Sequence, residues 1–119
     1  MGFQIIDDCL DVVGEEAIVG KSVGNDIEDG KVTLPILRTY QLADEATRAA
    51  IRQAYTEPEL QDRRGRLREV CDLGPGTEYA LDRANALVAC AMGRLAPLPS
   101  TPAKAALEQV GEFVLERKW

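Results

Sequence analysis

The side chains best suited to chemistry in this sequence are three carboxylates near its start. Gln4, Asp7, Asp8 and Asp11 fall at positions i, i+3, i+4 and i+7, so a helix would present all four on one face. Carboxylates crowded on one face repel one another, and they must be protonated or neutralised by cations. Because an oxygen-only ligand set suits hard cations, this acidic stripe predicts a Mg²⁺ site.

The rest of the same segment is apolar, which inverts the pattern of an ordinary surface helix, where the apolar stripe is the narrow one. A narrow acidic stripe on an otherwise apolar helix indicates burial on most sides, with the carboxylates facing a polar cavity. The alternative is an ordinary helix whose solvent-facing side carries Asp, and spacing alone favours neither interpretation. The apolar residues of the segment are Phe3, Ile5, Ile6, Cys9, Leu10, Val12 and Val13.

A glycine-rich loop, residues 15–31, follows the predicted acidic helix and carries two lysines. Lys21 and Lys31 flank Asp26 in this loop. Carboxylates and phosphate oxygens can share Mg²⁺, while lysines neutralise the remaining phosphate charge, so the arrangement predicts a diphosphate ligand. The alternative, which spacing alone favours, is that both lysines are solvated and pair with neighbouring acidic residues.

Composition narrows the possible functions. The 119 residues carry a net charge of -6, which argues against general binding to nucleic acid or anionic membranes. The chain has no histidine, which excludes histidine-based catalytic triads and most zinc sites. Its three cysteines are too few and too scattered for a disulfide framework, and no stretch resembles a signal peptide or a membrane span. We therefore expect a cytoplasmic protein.

Apolar residues at helical spacing, separated by Gly and Pro, predict an all-α fold of about six helices. The first is expected to stop at Gly14, a good left-handed C-terminal residue. Thr56-Glu57-Pro58-Glu59 has the form of a capping box and predicts the start of the fourth helix. The expected starts of the other helices after the first are Thr33, Asp44, Thr77 and Thr101.

The predicted fourth helix is rich in arginine. Acidic residues are interleaved with its basic ones, so we expect a solvated, salt-bridged face rather than a specific anion site. The arginines are Arg63, Arg64, Arg66 and Arg68, and the acidic residues are Glu59, Asp62 and Glu69.

Three linked motifs give the chain a strong resemblance to the trans-isoprenyl diphosphate synthases, the polyprenyl synthetase family. The last motif is more similar to bacterial long-chain synthases than to short-chain enzymes, and the later helices also resemble the C-terminal helices of the family. The motifs are Phe3-Gln4-Ile5-Ile6-Asp7-Asp8-x-x-Asp11, Gly20-Lys21-x-x-Gly24-x-Asp26 and Gly30-Lys31-x-Thr33-Leu34-Pro35.

The resemblance implies a Mg²⁺-dependent prenyltransferase. Asp7-Asp8-x-x-Asp11 looks like the family's second aspartate-rich motif, with Asp7 the most direct metal ligand and Asp8 and Asp11 completing the cluster, partly through water. The implied reaction begins when an allylic diphosphate loses its diphosphate to the metals. The double bond of isopentenyl diphosphate then attacks the allylic cation, and a proton leaves.

The same resemblance assigns roles around the metal site. Lys21 would contact the allylic diphosphate, and Gln4 and Phe3 would face the substrate pocket. Lys31 and Asp26 would order the loop over the site without binding the substrate themselves. No residue of the chain is assigned as a catalytic acid, base or nucleophile.

One large departure from the family pattern limits what the chain is expected to do. The first aspartate-rich motif, the basic residues that bind isopentenyl diphosphate and the helix that sets product length are not found in it. We therefore interpret residues 1–119 as the C-terminal portion of a polyprenyl synthetase domain, inactive alone and competent with an N-terminal half. An uncovered apolar face on the first helix would otherwise favour a homo-oligomer.

Two further interpretations stay open at this stage. The chain could be a non-catalytic binding or regulatory subunit that associates with a full-length prenyl synthase. It could also be a stand-alone helical protein without a site. Retention of all three aspartates argues mildly against the subunit, because a purely structural subunit has no use for them.

Overall fold

The computed structural model describes residues 1–13 and 25–116, which form seven helices and no strand. The prediction of an all-α fold is confirmed. The helix beyond the expected six is a four-residue one, α2, inside the segment predicted to be a loop. The helices are α1 (Gly2–Val13), α2 (Asn25–Glu28), α3 (Leu34–Leu42), α4 (Glu45–Thr56), α5 (Arg63–Val70), α6 (Gly74–Leu95) and α7 (Pro102–Glu116).

Helix α1 joins two apolar cores. Near its end, Val12 packs into a cluster that takes residues from α2 to α5, with Ile27 and Leu67 fully buried. Near its start, Ile6 packs against Ala84 of α6 and the side chains around it. Burying apolar side chains of this size stabilises a fold by about 1.5–3 kcal/mol each. The helix that carries the acidic stripe is therefore fixed at both ends.

Small residues on α6 allow the central helices to approach closely. Helix α6 packs along both α1 and α3. At Gly76 a methyl group would collide with the main-chain oxygen of Pro35 and the hydroxyl of Thr39, so this crossing of α3 and α6 requires glycine. Ala80 and Ala84 are likewise completely buried on α6.

The capping box predicted at Thr56 is wrong. Thr56 is the last residue of α4, and its hydroxyl donates to the main-chain oxygen of Arg52 at 2.8 Å. Glu57, which precedes a proline, is held in an extended conformation, and this ends the helix. Helix α5 begins only at Arg63, where the carboxylate of Asp62 accepts a hydrogen bond from the amide of Gly65 at 3.1 Å.

The cap predicted at Thr77 is also wrong. Helix α6 begins at Gly74, so Gly74-Pro75-Gly76 forms its first turn instead of a break before it. Proline is tolerated there because the first amides of a helix have no partner within the helix. The hydroxyl of Thr77 donates to the main-chain oxygen of Leu73 at 2.8 Å.

Helix α7 leaves most of its large apolar side chains uncovered. Val114 is buried, but Leu107, Val110 and Phe113 are 54%, 58% and 48% exposed. Leu107 and Val110 line an open groove of about 460 Å³ between α6 and α7, which we call the α6–α7 groove. Within the described residues, no helix combines the length and apolar character needed to cross a membrane.

Candidate functional site

Helix α1 has one buried apolar side and one partly exposed acidic side. Ile6, Cys9 and Val12 are buried against the neighbouring helices. Asp7 and Asp8 are half-buried. The sequence thus predicted correctly that the carboxylates share a face of a helix that is apolar elsewhere.

Asp11 links α1 to α2. Its side chain is only 5% exposed, and its two oxygens accept hydrogen bonds from the main-chain amides of Asn25 and Asp26, both at 3.1 Å. Amides at the start of a helix have no partner within the helix, and a carboxylate is a favoured acceptor for them. Asp11 therefore holds Asp26 beside the acidic stripe, a contact that the sequence did not predict.

The carboxylates form one electrostatic unit. Burial, followed by the negative charges of Asp26, Asp7 and Asp11, raises the pKa of Asp8 to about 6, while Lys31 acts in the opposite direction. Lys31 also pairs with Asp26, with 3.4 Å between Nζ and Oδ1. We call Asp7, Asp8, Asp11 and Asp26 the acidic cluster.

The carboxylate oxygens of this cluster suit part of the coordination shell of a hard cation. In the described ranges, no three histidine, cysteine or carboxylate side chains lie close enough together to hold a metal ion by themselves. Mg²⁺ is usually bound by one or two protein carboxylates, with water and substrate phosphates completing the shell. A divalent cation beside Asp8 would also relieve the repulsion that raises its pKa. Because both oxygens of Asp11 already accept main-chain amides, this carboxylate has less capacity left for an ion.

Of the remaining predicted site residues, the structure describes all but Lys21. Gln4 and Phe3 are exposed on α1, and Gln4 lies one turn before the aspartates. Lys21 lies outside the described residues, as does Gly14, the predicted end of the first helix. Lys31 is exposed, and its ammonium pairs with the carboxylate of Asp26 in α2.

Two arginines of α5 donate hydrogen bonds to the main chain of α1, which the sequence did not predict. Arg66 pairs with Glu69 at 3.4 Å, as expected of a solvated face. Arg64 and Arg68 instead donate to the main-chain oxygen of Val12 at 2.9 and 3.1 Å. The last carbonyls of a helix lack partners within it, but a donor more than fifty residues away could not be identified from local pattern.

Comparison with known proteins gives one consistent family. A family model described as polyprenyl synthetase matches residues 1–72. A short chain isoprenyl diphosphate synthase from Methanothermobacter thermautotrophicus is 36% identical over 118 residues, which cover 99% of this chain and 36% of that protein. The octaprenyl diphosphate synthase of Haemophilus influenzae is 27% identical over 117 residues, covering 98% of this chain and 36% of the relative.

A shorter match at higher identity is to a protein that is named as one component of a synthase. Heptaprenyl diphosphate synthase component 2 from Geobacillus stearothermophilus is 45% identical over 62 residues, which cover 52% of this chain and 19% of that protein. The relatives that match nearly all of this chain are about three times as long as it, so the chain spans about a third of their length.

Proposed function

The chain belongs to the polyprenyl synthetase family, and on that premise we propose that it supplies the metal- and diphosphate-binding part of a prenyl diphosphate synthase. The complete enzyme would condense isopentenyl diphosphate with an allylic prenyl diphosphate to make a polyprenyl diphosphate. This chain corresponds to the C-terminal portion of such an enzyme and is inactive without the rest. Its free thiols, one buried and two at least partly exposed, fit a cytoplasmic location.

The observation that carries this proposal is the geometry of the acidic cluster, in which the buried Asp11 holds Asp26 beside Asp7 and Asp8, within residues that the family model matches. Burial and the neighbouring charges also raise the pKa of Asp8 to about 6. Aspartates on a fully exposed helix face would keep the ordinary pKa of a carboxylate in water. Here burial and three neighbouring carboxylates disfavour the negative charge of Asp8, and a bound divalent cation would stabilise that charge. The cluster lies within the residues that the family model matches.

Each site residue has a proposed task. Asp7 and Asp8 hold Mg²⁺, and Asp11 keeps Asp26 and its helix in place. Lys21 contacts the allylic diphosphate, and Lys31 orders the adjoining loop. When bound, Mg²⁺ would stabilise the negative charge that develops on the departing diphosphate.

Phe3 and Gln4 have a different task. They border the pocket of the allylic substrate, with Gln4 in line with the acidic stripe of α1 and Phe3 beside it. Their exposure leaves them accessible to a prenyl chain or to another part of the synthase.

The rest of the synthase is the proposed partner of the uncovered apolar surface. Phe3, Leu107, Val110 and Phe113 are about half exposed, and the α6–α7 groove is lined mostly by apolar side chains. About two-thirds of each of these relatives lies outside the part matched here. An N-terminal portion of the same fold would cover this surface and supply the remaining ligands for metal and isopentenyl diphosphate. A second copy of the chain is the competing occupant.

Calorimetry with Mg²⁺ and inorganic diphosphate tests the site. We expect the chain to bind diphosphate in millimolar Mg²⁺ and not in its absence, and Asp8→Asn to weaken binding about tenfold or more. Asp82→Asn, which alters an exposed aspartate of α6 outside the cluster, is the matched control and should bind as the wild type does. Equal binding by the Asp8 and Asp82 variants would refute the assignment.

Complementation tests the activity. The chain is co-purified with the N-terminal two-thirds of a related synthase, and incorporation of labelled isopentenyl diphosphate into prenyl product is measured. We expect product from the pair and none from either part alone. Turnover by this chain alone would overturn the proposal that it is one part of the enzyme.

A second candidate function is a non-catalytic subunit that associates with a full-length synthase. The observation that favours it is the relative named heptaprenyl diphosphate synthase component 2, since a component implies a partner. Such a subunit would bind a full-length synthase but no diphosphate at millimolar Mg²⁺. The calorimetric experiment therefore distinguishes the two candidates.

A further inference from the structure

We propose that Arg63, Arg64 and Arg68 of α5 are positioning residues that clamp α1 and α2 so that the acidic cluster is held ready for its ligand. Arg64 and Arg68 fix the end of α1, and Arg63 fixes the end of α2. The ligand of the cluster, a Mg²⁺–diphosphate, is taken from the proposed function, and this inference rests on it. The clamp itself is a set of contacts that links α5 to both helices.

The first half of the clamp lies at the end of α1. Two guanidinium groups converge on one acceptor, since Arg64 Nε and Arg68 Nη2 donate to the main-chain oxygen of Val12 at 2.9 and 3.1 Å. Hydrogen bonds from a charged donor are about twice as strong as neutral ones, and positive charge at a helix C-terminus is favourable. Val12 directly follows Asp11, so the clamp acts one residue from the acidic cluster.

The second half of the clamp lies at the end of α2. Arg63 Nη1 donates to the main-chain oxygens of Ile27 and Glu28 at 3.1 and 2.6 Å. The amide of Arg64 donates to the Glu28 side chain at 3.0 Å. Because Asp11 caps the first residues of α2, this short helix is tied to α1 at its start and to α5 at its end.

The corner between α4 and α5 anchors the clamp. Arg63 Nε donates to the main-chain oxygen of Ala54 at 2.8 Å, and its guanidinium lies 5.8 Å from the ring centre of Tyr55. The hydroxyl of Tyr55 donates to the main-chain oxygen of Lys31 at 3.1 Å. The same corner thus fixes the end of α2 and the backbone of Lys31, both of which follow Asp26 in the chain.

This arrangement favours a clamp over an anion site on the arginine-rich helix. The donors that point inward from α5 are already engaged by main-chain carbonyls of three other elements. Arg66 is exposed and pairs with Glu69 on its own helix. Helix α5 therefore carries both the clamp arginines and, in Arg66, a control residue for testing them.

Diphosphate binding is the first test. The double variant Arg64→Gln/Arg68→Gln is compared with Arg66→Gln and the wild type by calorimetry, with Mg²⁺ and inorganic diphosphate, at a temperature where circular dichroism shows all three folded. We expect about tenfold weaker binding by the double variant, as for other residues that orient metal ligands, and a change below twofold for Arg66→Gln. Equal affinity for the double variant and the control would overturn the inference.

Amide hydrogen exchange is the second test, and it does not depend on the ligand. In the double variant the amides of Asn25 and Asp26 should exchange at least fivefold faster, while that of Ala84 in the other core should keep its protection. The single variants Arg64→Lys and Arg68→Lys keep a positive donor and should restore part of the protection. Unchanged exchange at Asp26, or equal loss at Ala84 that reveals global destabilisation, would contradict a positioning role.

The two tests separate the inference from the proposed function. If the wild type binds no diphosphate in Mg²⁺, the proposed function fails, and the inference that the clamp serves this ligand fails with it. If the wild type binds and the double variant binds equally well, the proposed function stands and the clamp alone is refuted.

Discussion

The carboxylate of Asp11 accepts a hydrogen bond from the amide of Asp26 at 3.1 Å, across fifteen positions of the chain. A residue expected to complete a metal site thus also holds a second acidic residue beside it. The stability of the helix pair α1–α2 and the charge density of the site depend on the same side chain.

Replacing Asp11 should therefore weaken the fold as well as the site. In Asp11→Ala the amides of Asn25 and Asp26 lose a buried acceptor, and loss of such a cap costs about 1–2 kcal/mol of unfolding free energy. Urea denaturation measures the change, with Asp82→Ala as the exposed control. A loss no larger than that of the control would contradict the role of Asp11 as a link.

Asp8 should make stability depend on pH. Because its pKa in the folded state is raised to about 6 from 3.8, the folded protein holds this proton more tightly than the unfolded chain. The stability due to this proton is fully present below about pH 4 and is lost as pH rises through 6. Asp8→Asn removes the buried charge, so it should stabilise the protein by about 1 kcal/mol at pH 8, after a discount for solvent screening, and have little effect at pH 4.

Urea denaturation of wild type and Asp8→Asn at both pH values measures this difference. Asp82→Asn should show no such contrast between pH 8 and pH 4. Destabilisation of Asp8→Asn at pH 8 would mean that the charged form of Asp8 is favoured in the fold, contrary to its environment.

Two glycines of α6 should respond in opposite directions to alanine. At Gly76 the added methyl group meets the main-chain oxygen of Pro35, which cannot move aside, so we expect a loss of about 2–3 kcal/mol. At Gly93 no atom lies within 4 Å of the new methyl group, and alanine is the better helix former, so we expect a gain of about 0.5–1 kcal/mol. Thermal and urea denaturation of the two variants measure both changes in stability. A tolerated Gly76→Ala would refute the close crossing of α3 and α6.

Local pattern predicted the helices and the acidic face, because both follow from spacing along one helix. Asp7, Asp8 and Asp11 needed only the helical period to be placed together. The contacts of Asp11 with Asn25 and of Arg64 with Val12 depend on tertiary folding, and no local signal reports them.

The errors at Thr56 and Thr77 have a related cause. A threonine hydroxyl can cap the helix that follows it or bond to the carbonyl four residues before it, and the sequence around both residues permits either. In the fold both hydroxyls take the preceding carbonyl, since each residue lies inside a helix. The exposed stripe of α7 likewise has the right period for a core helix, and the period does not identify the surface that covers it.

The exposed stripe leads to a prediction about association. Leu107 and Val110 are more than half exposed beside the α6–α7 groove, and an apolar surface of this kind favours contact with another chain. We expect the isolated chain to self-associate in light scattering across a tenfold dilution, and Leu107→Lys/Val110→Lys to reduce its apparent mass toward that of a monomer.

The double variant should also lose product formation in the complementation assay while retaining diphosphate binding, because the acidic cluster lies on another helix. Ala86→Lys/Ala89→Lys, at two exposed sites of α6, is the charge-matched control. A monomeric wild type whose complementation survives the double substitution would show that the partner binds elsewhere.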